Sequence, residues 1–195
     1  MKNITAYKWN QFLQDCKTHS TTFTCFDDLI HNITNQIQKL SFEDTTLNHK
    51  FELLQQKAQH SYETDICIDD HTCRVMLIAL QPNAVIGLHN HPKQSGLIYC
   101  YQGEVEIDAY DETSATKTTA ILKQIYATTL NKGEYAFLLP TRANIHRLKA
   151  NQLSLLIDIF IPPPSEDYRN LNKRYTLQEK IPNTNLYQAT IVPKS

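Results

Sequence analysis

Two histidines separated by one residue are the part of this sequence best suited to chemistry. His89 and His91 lie in the run VIGLHNHP at residues 85–92, which is typical of a β-strand. Because side chains alternate along a strand, we expect both imidazoles on one face of a sheet. A third histidine, His146, lies in another strand-like run at residues 144–148. Three converging imidazoles can hold one metal ion and leave coordination positions open for catalysis. Taken alone, the residues also permit a structural or surface role.

The elements that must position these histidines are short strands. Candidate strands are rich in Ile, Leu, Val, Tyr and Thr, and turns such as Gln102-Gly103 separate them. They lie at residues 62–68, 73–80, 84–90, 96–102, 104–110, 119–130, 135–139, 145–149, 153–161 and 186–192. Many short strands without intervening helices predict a sandwich or barrel.

The first part of the chain has a different pattern. Residues 1–58 contain no glycine or proline, and apolar residues recur at helical spacing between Phe26 and Leu40. We therefore predict one domain over residues 1–195, with a helical N-terminal segment at 1–58 and a β-barrel at 59–164 and 185–195. Three prolines, Pro162 to Pro164, end a strand, and the polar residues 165–184 are predicted to form an extended loop.

Composition limits the classes of partner. The net charge of −1 over 195 residues gives no electrostatic case for nucleic acid or a membrane surface. No apolar run approaches the ~20 residues that span a bilayer, and the N-terminus does not resemble a signal peptide. We expect a cytoplasmic protein. The five cysteines are odd in number and lack CxxC spacing, which favours buried free thiols over a disulfide framework or a zinc finger.

The spacing around the histidine pair resembles the first motif of the cupin proteins. The interval from His91 to Gly103 fits that motif, but Gly96 stands where many cupins have a ligand glutamate. The second cupin motif is matched loosely by Gly133, Pro140 and His146.

A closer resemblance is to the cysteamine dioxygenase and plant cysteine oxidase family. The blocks that carry it are HNHP at 89–92, YQG at 101–103 with YD at 110–111, NIH at 144–146, and DIFIPP at 158–163. HNHP alone is moderately specific, whereas the blocks in this order are strongly so. The resemblance covers most of residues 24–176.

This resemblance implies a mainly β, cupin-type (double-stranded β-helix, jelly-roll) barrel that holds one iron(II) per chain. The implied ligands are His89, His91 and His146. The implied activity oxidises a thiol to a sulfinic acid with both atoms of dioxygen, and the implied substrates are cysteamine and the N-terminal cysteine of a peptide or protein. We expect a monomer.

The chemistry suits these residue types. Three neutral imidazoles leave the full charge of the ion, which would attract a thiolate and lower the pKa of the thiol below its free value of about 8.5. The lack of a carboxylate ligand at Gly96 is then consistent with this chemistry, because the thiolate of the substrate supplies the negative charge at the metal.

Asp158 is the candidate catalytic residue near the metal. It lies in an apolar run and is therefore expected to be buried, which is costly for an unpaired carboxylate. It would orient a ligand histidine or bind the ammonium group of the substrate. The alternative is that it only anchors a nearby backbone or arginine.

Candidate substrate contacts are Tyr101, Arg142 and Tyr168. Pro164 stands where the family commonly has tyrosine, and Tyr168, four residues on, is a candidate substitute. For Tyr101 the alternative is core packing, and for Arg142 it is a solvated position on the loop before His146. Without a clear arginine in the right strand, an amine-bearing thiol fits better than a substrate with a nearby carboxylate.

Two other functions remain open at this point. One is a cupin metalloenzyme with manganese or zinc that acts on a non-thiol substrate such as a sugar or organic acid. The other is a non-catalytic cupin that binds a metal or ligand as a sensor.

Overall fold

The computed structural model describes residues 7–23, 25–165 and 170–192. In this part of the chain three helices precede eleven strands. The helices are α1 (Trp9–Thr22), α2 (Phe26–Ile37) and α3 (Thr45–Ala58). The strands are β1 (Tyr62–Asp69), β2 (Arg74–Leu80), β3 (Val85–Asn90), β4 (Ser95–Gln102), β5 (Glu104–Ala115), β6 (Thr119–Asn131), β7 (Tyr135–Leu138), β8 (Ile145–Ala150), β9 (Ser154–Ile161), β10 (Arg174–Lys180) and β11 (Leu186–Val192).

The helices cover one face of a sheet. In α2 the buried apolar residues Leu29, Ile33 and Ile37 are four residues apart, so they form one stripe. The carboxylate of Asp44 begins α3 by accepting a hydrogen bond from the backbone N–H of Leu47 (2.8 Å). The helices and the sheet share one apolar core. The helical character predicted for the N-terminal segment is confirmed in the described residues, and none of these helices is long and apolar enough to cross a membrane.

The strands form two antiparallel layers. One is a five-stranded sheet of order β1-β2-β9-β4-β7, and the other strands close into a ring of order β10-β11-β6-β5-β8-β3. A second apolar core lies between the layers and includes Ile78, Ile98, Val105, Leu148 and Leu156. The mainly β barrel predicted from the sequence is therefore confirmed.

The turn at Gly103 joins the two layers. Gly103 has a φ of +95°, and a Cβ there would lie 2.5 Å from the carbonyl oxygen of Leu153 and from Oγ of Ser154. Both the left-handed backbone and the close contact require glycine. The turn lets β4 of the sheet lead directly into β5 of the ring.

The prediction of an extended loop over residues 165–184 is wrong in part. Arg174–Lys180 form β10, which pairs with β11 and meets β3 at Arg174 and His89. Only Tyr175 and Leu177 turn towards an apolar core, and the other side chains of the strand are exposed. A strand with one exposed face has a polar composition, and the two inward residues were too few to show the period of two.

The five cysteines are free, and Cys16, Cys73 and Cys100 are buried. Burial raises the pKa of the Cys100 thiol to about 12. A thiol that stays protonated is a poor nucleophile and ligand.

Candidate metal centre

The three predicted histidines meet at one end of the barrel. His89 on β3 pairs directly with His146 on β8, so the two side chains share a face. His91 follows β3, and its Nε2 lies 2.9 Å from Nε2 of His89 and 3.1 Å from Nε2 of His146. Within the described residues these three form the group of potential metal ligands, with one nitrogen from each within 4.8 Å of the others.

The spacing of these nitrogens fits a shared ion. Nitrogen ligands at about 2.1 Å from one ion, and at right angles to each other, lie about 3.0 Å apart. The two close pairs of Nε2 atoms are within about 0.1 Å of that value. The distances from His91 to the other two ligands are therefore compatible with one shared metal ion.

Burial keeps the imidazoles neutral. It lowers the pKa of His89 and lowers those of His91 and His146 well below the usual value of 6.5. The neighbouring histidines lower the last two further. A metal binds the neutral imidazole, so the protein does not have to remove protons from these rings at neutral pH.

Hydrogen bonds fix two of the rings. Nδ1 of His89 lies 2.7 Å from the carbonyl oxygen of Gly87, which can only accept, so that bond places the proton on Nδ1 and leaves Nε2 free. The side chain of Gln94 hydrogen bonds with His91 and donates its Nε2 to the carbonyl oxygen of Pro162 (3.0 Å). Such partners orient ligand histidines. Gln94 is buried, and no feature of the sequence singled it out.

Asn144 fixes the backbone that carries His91. The backbone N–H of His91 donates to Oδ1 of Asn144 (3.1 Å), and Nδ2 of Asn144 donates to the carbonyl oxygen of His91 (2.6 Å). Since Asn144 lies directly before β8, this pair of bonds ties the end of β3 to the strand that carries His146. The NIH block thus positions two of the three histidines.

Phe160 occupies the place opposite Gly96. The two residues pair across β9 and β4, and a Cβ at Gly96 would lie 3.1 Å from Cδ1 and Cε1 of Phe160. The same ring stacks on His91, with centroids 4.4 Å apart. The space that a glutamate would need is therefore filled by an aromatic wall of the site.

Asp158 points into the barrel. Ile157 and Ile159 pack in the core beneath the helices, so Asp158 and Phe160 point the other way, about 6.6 Å apart along β9. Asp158 is buried and its Oδ1 has no hydrogen-bond partner within the described residues. Burial raises the pKa of its carboxyl to about 8, against a smaller lowering by the backbone N–H of Ile159. The carboxyl thus has an unused acceptor inside the barrel.

Tyr101 does not lie at the cluster, which corrects the predicted substrate contact. Its ring packs between Phe42 and Phe51, and its hydroxyl donates to Oδ1 of Asn48 (3.0 Å) on α3. The reason is strand alternation, because Cys100 faces the barrel and its neighbour must face the helices. The packing alternative describes Tyr101.

Arg142 and Tyr168 are the other two predicted substrate contacts. Arg142 is exposed in a turn closed by backbone bonds with Leu139, and its side chain makes no hydrogen bond or ion pair within the described ranges. Its role in binding stays a prediction. Tyr168 lies outside the described residues.

One cationic residue at the cluster was missed. Arg174, the first residue of β10, pairs with His89 across the strands. It lay in the polar stretch predicted to be a loop, so its neighbour could not be foreseen.

Comparison with known families agrees with this geometry. The profile of the PCO_ADO family, which comprises plant cysteine oxidases and cysteamine dioxygenases, matches residues 29–191. The chain belongs to this family. The match includes all three histidines and Asp158, and it places the barrel among the cupin-type folds. PCO_ADO membership also supports an oxygenase class of enzyme.

Solved structures with similar folds were also found. KdgF from Halomonas sp. is 19% identical, with 55% of this chain and 83% of that chain covered and a TM-score of 0.42. A double-stranded β-helix protein from Klebsiella pneumoniae is 15% identical, with 54% and 75% covered and a TM-score of 0.43. A variant of oxalate decarboxylase from Bacillus subtilis is 14% identical, with 56% and 28% covered and a TM-score of 0.45. The search of curated proteins found no significant match.

Proposed function

We propose that this chain is an iron(II)-dependent thiol dioxygenase that converts an N-terminal cysteine, or cysteamine, to the sulfinic acid. The observation that carries the proposal is the convergence of three neutral histidines inside a barrel of the PCO_ADO family. His89, His91 and His146 would hold the iron. Iron(II) held there would supply the redox chemistry that joins both atoms of dioxygen to the thiol sulfur.

The charge of the site supports a thiolate substrate. Within the described residues the ligand group contains no carboxylate, and the position where a glutamate would stand is Gly96 backed by Phe160. A cationic centre with three neutral ligands favours an anionic substrate group. A thiolate is the anionic form of the proposed substrates, whereas a site with its own carboxylate would discriminate against it.

Asp158 supports an amine on the substrate. Its Oδ1 is unpartnered and it lies one side chain deeper in the barrel than Phe160. A buried carboxyl that lacks a donor is destabilising until a cation or donor reaches it. Both proposed substrates carry an ammonium group two carbons from the sulfur. In this role Asp158 binds the amine, and no described contact supports the alternative in which it orients a histidine.

The proposed activity is tested by measuring the mass of the product with different bound metals and with histidine variants. Iron-loaded protein, incubated in air with a Cys-initiated peptide and separately with cysteamine, should add about 32 mass units to the substrate, the mass of one dioxygen. His146→Ala should lose the reaction, and His60→Ala, at an exposed histidine, should keep it.

Zinc-loaded protein should form no product, because zinc has no redox chemistry. If the purified protein holds only manganese or zinc and oxidises neither thiol when loaded with iron, the proposal is wrong. That result would favour a non-thiol enzyme or a binding protein.

A further inference from the structure

Arg174 lies beside the metal centre, and none of the ion pairs among the described residues includes it. It pairs with His89, and residues paired across strands point their side chains to the same face. Because Nε2 of His89 faces the other two histidines, Arg174 leaves its strand on the face of the sheet that carries the cluster. Burial is the main cause of the lowered pKa of His89, and the positive charge of Arg174 lowers it further, which agrees with this closeness.

No carboxylate of the described residues neutralises Arg174. Arg74 and Arg147 each pair with an aspartate, and the neighbouring Lys173 pairs with Glu112 at 2.9 Å. Arg174 makes no ion pair in residues 7–23, 25–165 and 170–192, and its side chain is exposed. An arginine held next to a cationic metal site without a counter-charge is suited to an anion brought by a ligand.

A groove connects Arg174 with His89. It has a volume of about 300 Å³, and both residues line it together with Gly87, Tyr62, Ile86 and Val192.

A Cβ at Gly87 would meet no atom within 4 Å, so the groove is open at that point. Its size is at the lower end for small-ligand sites, which suits a few atoms of a substrate rather than a whole chain.

We propose that Arg174 is a specificity residue that binds a carboxylate of the substrate in this groove, close to the three histidines that would hold the metal. The inference rests on the proposed function and deepens it. The carboxylate is either the acidic side chain of the residue after an N-terminal cysteine or the α-carboxylate of free cysteine. The planar guanidinium can donate two parallel hydrogen bonds to either one.

Binding tests the inference separately from turnover. Zinc-loaded protein under anaerobic conditions is titrated with Cys-Glu and Cys-Gln peptides that are otherwise identical, and with free cysteine and cysteamine. We expect the peptide with glutamate to bind about 2- to 5-fold more tightly, as for an exposed ion pair. The preference should shrink at high salt because the pair is exposed.

Variants of Arg174 identify the group responsible. Arg174→Gln should abolish the preference for Cys-Glu over Cys-Gln, and Arg174→Glu should make Cys-Glu the weaker ligand of the two. Lys180→Gln removes a charge at the other end of the same strand and should leave the preference intact. A preference for free cysteine over cysteamine that also depends on Arg174 would identify the α-carboxylate as the second source.

The outcomes separate the two proposals. Equal affinity for Cys-Glu and Cys-Gln, or a preference that survives Arg174→Gln, overturns the role of Arg174 even if both peptides are oxidised. A preference that depends on Arg174, found in a protein that oxidises no thiol when loaded with iron, supports this inference and overturns the proposed function.

Discussion

The ring of Phe160 stacks on the imidazole of His91, with centroids 4.4 Å apart and an angle of 23° between the planes. This contact replaces the carboxylate that many cupins have at the position of Gly96. A Cβ there would lie 3.1 Å from Cγ of Leu138 as well as from the Phe160 ring. Within the described residues, the stacking on His91 and the lack of a carboxylate in the ligand group are therefore both linked to Gly96.

Gly96→Glu should destabilise the protein without strengthening metal binding. The new side chain overpacks against Phe160, and overpacking costs about 1–3 kcal/mol. Thermal unfolding and zinc affinity, measured by competition with a chelator, test both effects. In a Phe160→Ala background the same substitution should cost less stability than it does in the original protein, because the obstructing ring is absent. A single Gly96→Glu variant with full stability and tighter zinc binding would contradict this account.

Asp158→Asn should remove discrimination for the substrate amine. Cysteamine and 2-mercaptoethanol differ only in an amine and a hydroxyl, so the ratio of their kcat/KM values measures recognition of the ammonium group. We expect Asp158→Asn to lower that ratio by about tenfold, because a hydrogen bond to a charged group contributes about 1.5–3 kcal/mol. An equal loss with both thiols would instead indicate a role that does not involve the amine.

Asp158 should also make the stability of the metal-free protein depend on pH. Burial raises the pKa of its carboxyl from 3.8 to about 8, so the folded state binds its proton more tightly than the unfolded chain. This contribution to the free energy of unfolding is full below about pH 4 and is lost as the pH rises to about 8. Urea unfolding at several pH values should show a smaller decline over this window for Asp158→Asn than for the original protein. Parallel curves would show that the carboxyl is not buried in this way.

Metal affinity should be nearly independent of pH between about 6.5 and 8. The pKa values of all three histidines are lowered, with burial as the largest cause, so protons do not compete with the metal in this range. Affinity should fall steeply only in more acidic solution, where the rings bind protons. Zinc is a suitable redox-inert probe. A tenfold loss of affinity between pH 7.5 and about 6.5 would mean that the imidazoles titrate like exposed histidines.

Tyr101→Phe should change stability rather than activity. The hydroxyl of Tyr101 donates to Asn48 on α3, so its loss removes one buried hydrogen bond, worth about 0.5–1.5 kcal/mol. Because the residue faces the helices, we expect kcat and KM to stay unchanged. A raised KM with unchanged stability would restore the substrate contact predicted from the sequence.

The metal ligands could be predicted from the sequence, whereas most of the residues that surround them could not. The spacing of His89 and His91 predicts a shared face because strands alternate, and the NIH block pointed to His146. The pairing of His89 with His146 depends on strand register, which local patterns do not encode. Strand alternation predicted that Tyr101 and Tyr99 share a face of the sheet. It did not predict whether that face looks towards the helices or into the barrel.

The residues around the centre depend on contacts between distant parts of the chain. Arg174 pairs with His89, which lies 85 positions earlier in the chain (174 minus 89). Its strand is polar and has few apolar residues from which a strand could be predicted. Gln94 reaches Pro162 from a turn. In the sequence, no pattern around Arg174 or Gln94 distinguishes a residue at the metal centre from a solvated residue on the surface.

The most direct test of the central claim is the mass of the product formed from a Cys-initiated peptide by the iron-loaded protein under ¹⁸O₂. We predict a gain of about 36 mass units, against about 32 in ordinary dioxygen, because both oxygen atoms come from the gas. His146→Ala should show neither gain. A peptide of unchanged mass, or a product whose oxygen comes from water, would contradict the assignment of thiol dioxygenation to this three-histidine centre.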